Sequence, residues 1–179
     1  MVITVPEPSL ILLVGPSGSG KSTFAARHFR STEVVSSDRC RGLITDDETE
    51  WSVNQDAFDI VFLITRKRLA FRRLTVIDAT NLRPVDRRKF IDIAAEFDVP
   101  ALAVVFDLAP ELCHARNQGK ADRNFPFEVA ERHSNLLRQF LPEIAQEGFS
   151  SITFLSSEAE IDAVAFARIP LEVDSKLGE

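Results

Sequence analysis

Eight consecutive residues near the amino end have the types and order needed to hold a chain of phosphates: Gly15-Pro16-Ser17-Gly18-Ser19-Gly20-Lys21-Ser22. Their spacing is G-x-x-x-x-G-K-[ST], in which small residues let successive backbone N–H groups turn inward around an anion. Gly15, Gly18 and Gly20 permit that path, and Ser17, Ser19 and Thr23 complete the expected nucleotide-contacting set. Lys21 is expected to reach the β- and γ-phosphates of a nucleoside triphosphate. Ser22 is expected on the Mg²⁺ that bridges them, and the N-terminus of the following helix adds partial positive charge.

A phosphate site alone does not separate a phosphotransferase from a nucleotide switch. Asp38 and Arg41, in Ser36-Ser37-Asp38-Arg39-Cys40-Arg41, bear on that choice. An alcohol that accepts a phosphoryl group needs a carboxylate to orient it and take its proton, and a cation to fix its anionic group. The same pair could be an ordinary loop ion pair. Arg116, Lys120 and Arg123 surround Gly119 between two helical segments. They read as a mobile lid that stabilises charge on the transferring group, or as a solvated interhelix loop. Asp78-Ala79-Thr80-Asn81 could support Mg²⁺ through water, hold the acceptor, or cap a strand.

Five apolar runs must position these groups: Leu10–Val14, Glu33–Ser36, Leu74–Asp78, Ala101–Phe106 and Ile152–Leu155. Between and after them, helices are predicted at about 21–29, 54–73, 84–97, 110–117, 127–146 and 158–167. The alternation predicts an α/β fold, a five-stranded parallel sheet flanked by helices, with right-handed crossovers. Ligands of such sheets sit at the carboxyl ends of the strands. Gly15 to Ser22, Asp38, Arg41, Asp78 to Asn81 and Asp107 should therefore share one rim. Residues 1–8 read as an extended lead-in, 46–50 as an exposed acidic loop, 1–169 as one domain and 170–179 as a tail or linker.

Composition sets the outer bounds. With 179 residues and 45% hydrophobic side chains, one domain can bury a substantial core. There is no apolar run of about 18 residues and no charged-then-apolar leader, so no membrane span is expected and the expected compartment is cytoplasmic. Cys40 and Cys113 read as buried thiols, and His28, His114 and His133 form no metal triad. The net charge of −6 argues against broad coating of nucleic acid but not against gripping one strand end. Basic clusters at 66–73 and 83–89 are more ordinarily solvated helix faces than binding patches. Trp51 reads more readily as a hydrophobic plug than as a base-stacking platform, and Val129 could touch a terminal nucleoside.

Taken together, Gly15-x-x-x-x-Gly20-Lys21-Ser22-Thr23, Ser36-Ser37-Asp38-x-x-Arg41-Gly42-Leu43, Asp78-Ala79-Thr80-Asn81 and Arg116-x-x-x-Lys120-x-x-Arg123 resemble the kinase domain of bacterial polynucleotide kinase-phosphatase. The resemblance to this RNA repair family runs over essentially the whole chain. It implies a P-loop kinase fold with a helical lid, and transfer of the γ-phosphate of ATP, or another nucleoside triphosphate, to the 5′-hydroxyl of RNA or DNA with Mg²⁺. By resemblance, Lys21 and Ser22 contact phosphate and metal, Asp38 is the general base, and Arg41 holds the acceptor's 3′-phosphate. Arg116 and Arg123 are implied as lid arginines. Lys120 departs from the family's arginine and loses its bidentate fork. Full-length members continue into phosphatase and ligase-like domains, which the resemblance implies as covalent neighbours. On the residues alone, a small-molecule kinase acting on a sugar, antibiotic or nucleoside, or a nucleotide-dependent switch, uses the same phosphate loop.

Overall fold

A computed structural model describes residues 1–118 and 125–171. Its organising strand is β2 (Leu10–Val14), buried at all five positions. β2 lies between β4 (Thr75–Asp78) and β5 (Ala101–Phe106), and the outer strands are β3 (Val34–Ser36) and β6 (Ser151–Leu155). All four pairings are parallel, with Leu12 opposite Ile77 on one side and Ala103 on the other. A central parallel strand is covered on both faces, so it carries an unbroken apolar run rather than an alternating one. The expected five-stranded parallel sheet is thus present, flanked by helices.

Alternate side chains of β2 enter two cores. Leu10, Leu12 and Val14 pack with α3 (Asn54–Ala70) and α4 (Pro84–Glu96) through Ala57, Val61, Phe90 and Ile93. Ile11 and Leu13 pack with Phe24 and Ala25 of α1 (Lys21–His28), Cys113 of α5 (Pro110–Gln118) and Ala130 of α6 (Phe127–Phe140). Ile161 of α7 (Glu158–Asp162) joins this second core.

The chain ends depart from expectation. The lead-in forms β1 (Val2–Glu7), whose Ile3 and Val5 are buried between exposed Val2 and Thr4. The last predicted helix stops at Asp162, and β7 (Ala165–Pro170) pairs with β1 in parallel. The strand runs through Pro170, Leu171 N donates to Glu7 O just beyond it, and 172–179 lie outside the described residues. This small sheet covers the second core. Arg168 fastens it by donating from both terminal nitrogens to Glu33, each at 2.8 Å.

A helix that the sequence pattern does not predict follows β3. Ser36 caps α2 (Ser37–Thr45), its hydroxyl accepting from Arg39 N, and Asp38 in the first turn complements the helix dipole. The predicted helix at 127–146 is α6 followed by a tighter 3₁₀ segment from Leu141 to Gln146.

Arg87 is the largest fully buried side chain. It joins α4 to the segment before β6 by pairing with Glu147, and donates to Asn81 O and Leu82 O at 2.9 and 2.8 Å. Removing one partner of a buried pair strands the other charge, so Arg87→Ala is expected to cost about 3–5 kcal/mol. Urea unfolding checks this as a lower midpoint with an unchanged slope.

Candidate active site

The phosphate loop leaves β2 with Gly15 N donating to Thr80 O at 2.9 Å, which ties it to the segment following β4. Gly18 has φ +83°, and a Cβ there would lie 2.1 Å from the backbone oxygen of Cys113. Only glycine fits that approach to α5. Lys21 is buried in the loop it terminates, its Nζ donating to Gly15 O at 2.9 Å, Pro16 O at 2.7 Å and Ser19 Oγ at 3.3 Å. Ser22 and Thr23, on the first turn of α1, line the cleft above the loop.

Across the cleft, α2 presents Asp38 and Arg41 one turn apart, with Arg41 Nη2 donating to Asp38 Oδ1 at 2.5 Å. Arg41 is only 3% exposed and is held on every side. Its Nε donates to Glu48 O at 2.8 Å, its Nη1 to Asn54 Oδ1 at 3.1 Å, and its guanidinium lies 4.3 Å from the centre of the Trp51 ring. The segment expected to be an exposed acidic loop thereby serves the site. Glu48 and Thr49 line the cleft, and Glu50 caps the short 3₁₀ turn that carries Trp51.

The cleft is about 670 Å³ and brings together residues from eight elements or the loops after them. Asp78, Ala79 and Thr80 line it, while Asn81 turns inward and donates to Leu13 O at 2.8 Å, stapling β4 to β2. Asp107 stands after β5 as predicted but is not among the lining residues; its carboxylate accepts from Arg138 Nε at 3.4 Å. Arg116 lines the cleft, reaching Ser19 O at 3.1 Å and Glu158 at 2.5 Å. Lys120 and Arg123, with most of the predicted lid, lie outside the described residues.

No residue of the basic clusters at 66–73 and 83–89 lines this cleft. Arg66 pairs with Glu96, and Arg68 and Arg72 donate to Leu74 O and Phe97 O, so 66–73 sits before the amino end of β4. Arg83 pairs with Asp86, and Arg87 is internal. No group of three metal-ligating His, Cys, Asp or Glu side chains occurs among the described residues. Among them, too, no helix is long and apolar enough to cross a membrane.

His133, which the sequence marks only as outside any metal triad, lines the cleft with Val129 and Arg132. The signal was present as spacing, since positions 129, 132 and 133 share one helix face. Its Nδ1 accepts from Ser17 N at 3.4 Å. Burial, then the charges of Lys21 and Arg132, push its imidazole down to about 4. His28 is lowered as well, by burial and by Arg27.

Residues 10–144 match a family of AAA domains. The chain belongs to that family. A curated relative of this AAA domain, transcription factor bHLH140 of Arabidopsis thaliana, is 28% identical over 158 residues. The match covers 86% of this chain and 16% of the relative. A chain in the structure of the Pnkp1/Rnl/Hen1 RNA repair complex is similar at TM-score 0.67 and 25% identity, over 78% of this chain and 47% of that one. The chain therefore spans less than half the length of either. A gluconokinase from Sinorhizobium meliloti shares the fold at TM-score 0.54 and 18% identity, over 88% of this chain and 89% of its own. The AAA domain described here is a kinase-like P-loop nucleotide-binding domain.

Two outcomes test the site as a physical object. Gly18→Ala forces a methyl group onto Cys113 O and is expected to weaken ATP binding at least about tenfold, read by calorimetry. For His133 the folded value lies below the ordinary 6.5, so the unfolded chain takes the proton first as pH falls. The stability contributed by the neutral ring is complete above pH 6.5 and is lost as pH falls toward about 4. Melting temperatures should drop across that window, and drop less in His133→Asn.

Proposed function

We propose that this domain is an ATP-dependent polynucleotide 5′-hydroxyl kinase, acting on the ends of RNA or DNA in nucleic-acid repair. The observation that carries the reading is the Asp38–Arg41 pair, 2.5 Å apart and lining the same cleft as Lys21 and Ser22. A nucleotide switch needs no preset carboxylate opposite its phosphates; a phosphotransferase to an alcohol does. The 25% identity to a chain of an RNA repair complex supports a polynucleotide end as that alcohol.

In this reading the loop N–H groups of Ser17 to Ser22 and the Lys21 ammonium hold the β- and γ-phosphates of ATP. Lys21 exchanges its loop carbonyls for phosphate oxygens when the nucleotide enters. Asp38 orients the acceptor hydroxyl and receives its proton as that oxygen bonds to the γ-phosphorus and the bond to the ADP oxygen breaks. Arg41, already immobilised by Glu48 O, Asn54 and Trp51, anchors the acceptor's adjacent phosphate at little further entropic cost. Arg116 stabilises charge on the leaving phosphates, and Arg123 and Lys120 are proposed to do so from the lid.

The donor set around the loop suits Mg²⁺, because Ser22 and Asp78, both lining the cleft, carry hard oxygen atoms. When bound there, Mg²⁺ would neutralise phosphate charge and fix the phosphates' orientation.

A small-molecule acceptor is the second reading, favoured by the gluconokinase likeness over 88% of the chain. Transfer of labelled γ-phosphate from ATP, with Mg²⁺, to a single-stranded 5′-hydroxyl oligonucleotide separates the two when a panel of sugars and nucleosides runs beside it. Transfer to the oligonucleotide is expected. Asp38→Asn should lower its rate about 10²–10⁴-fold while ATP binding persists, and Lys21→Ala should abolish transfer. Transfer to a panel alcohol alone would overturn the polynucleotide assignment.

A further inference from the structure

The acceptor side of the cleft ends in an aromatic surface that the phosphoryl-transfer chemistry does not use. Trp51 lies on one turn of 3₁₀ helix between the acidic segment and α3, with Glu50 accepting from Ser52 N at 2.8 Å to cap that turn. The indole is 55% exposed, so it is not the hydrophobic plug that its place in the sequence suggested. Its ring centre is 4.3 Å from the Arg41 guanidinium and 6.4 Å from the ring of Phe125, which meets it edge-on. All three side chains line the cleft. A large indole left more than half accessible, braced by a cation whose own position is fixed, is a prepared flat surface.

Position decides what that surface receives. Arg41 joins Trp51 to Asp38 directly, so the indole stands beside the groups assigned to the acceptor rather than beside the phosphate loop. Nucleobases stack on aromatic rings regardless of sequence, since every base has a π-face, and an indole offers a larger face than phenyl. A sugar acceptor offers no comparable plane.

We infer that Trp51, steadied by Arg41 and Phe125, stacks an unpaired base of the acceptor strand and so places its 5′-hydroxyl end at Asp38. This inference rests on the polynucleotide reading above. Stacking sets how tightly the end is held, independently of which base it carries, and it draws affinity from a neutral contact. That suits a chain whose net charge is −6 and whose basic clusters at 66–73 and 83–89 contribute no residue to the cleft lining.

The sequence supplies its own probe, because it contains one Trp and no Tyr, so indole emission reports on Trp51 alone. A 3′-dye-labelled, single-stranded 5′-hydroxyl oligonucleotide is titrated into the protein, and anisotropy of the dye and Trp51 emission are followed together. The same oligonucleotide carrying abasic sites at its two 5′-terminal positions is run in parallel, as is ATP alone. The expected result is quenching that tracks binding of the base-bearing strand, with the abasic strand bound about 5- to 150-fold more weakly. In steady-state transfer, Trp51→Ala should raise the acceptor's KM by a similar factor on the base-bearing strand and by a much smaller factor on the abasic one, which loses only the indole's contact with Arg41. Trp51→Phe should restore most of the loss.

Equal binding of both strands with unaltered emission would overturn the platform while leaving the polynucleotide reading intact. Quenching by ATP alone to the same extent would move the indole to the donor side and overturn it too. A kcat loss in Trp51→Ala of equal size on both strands would make Trp51 a prop for Arg41, not a stacking surface. Failure of either strand to bind or to accept phosphate would defeat the polynucleotide reading itself and the platform with it.

Discussion

The structure depends on one buried ammonium and the turn of chain that surrounds it. Lys21 is 7% exposed, and an ammonium taken out of water is costly unless its protons are satisfied. Two carbonyls and a hydroxyl of the same loop do this, so the loop's path and the lysine's burial require each other. That path needs Gly18 in a left-handed conformation against the backbone of α5. Because β2 is the middle strand of the sheet, the loop emerges at its centre, with strand ends on both sides to supply reacting groups.

The acceptor side is built on the opposite principle, by fixing a charge through partners from distant positions. Arg41 meets Asp38 within its own helix, but Glu48, Trp51 and Asn54 come from the segment that wraps behind it. A guanidinium with five donors in a rigid plane can use all of these contacts at once, which an ammonium could not. The acidic stretch is best understood as the backbone and caps that hold Arg41. Its charges serve local turns: Asp47 accepts from Thr49 and Glu50 from Ser52, contacts that hold both carboxyls below their ordinary range.

The chain's cations divide between fold and site. Arg87, Arg168, Arg66, Arg68 and Arg72 all bind partners elsewhere in the sequence and tie helices or strands together. Arg27, Arg41, Arg116 and Arg132 line the cleft. The basic runs at 66–73 and 83–89 contribute none of the residues that line the cleft. The relevant cations are single residues on four different elements, gathered only by folding.

Local chemistry made much of this legible in the sequence. The glycine spacing and terminal lysine specify the phosphate loop, because that conformation is a property of consecutive residues. The apolar runs of β2, β4 and β5 specify a buried parallel sheet, since only strands covered on both faces can be apolar throughout. What remained hidden depended on residues far apart in the chain. The pairing of β1 with β7 joins segments more than 150 residues apart, and each alone is too short and mixed to declare itself. Trp51 is a plug or a platform according to what packs on its second face. His133 is a surface or cleft residue according to how α6 is rotated. Such choices belong to tertiary structure, because burial and charge environment are set by neighbours that only the packed fold brings together.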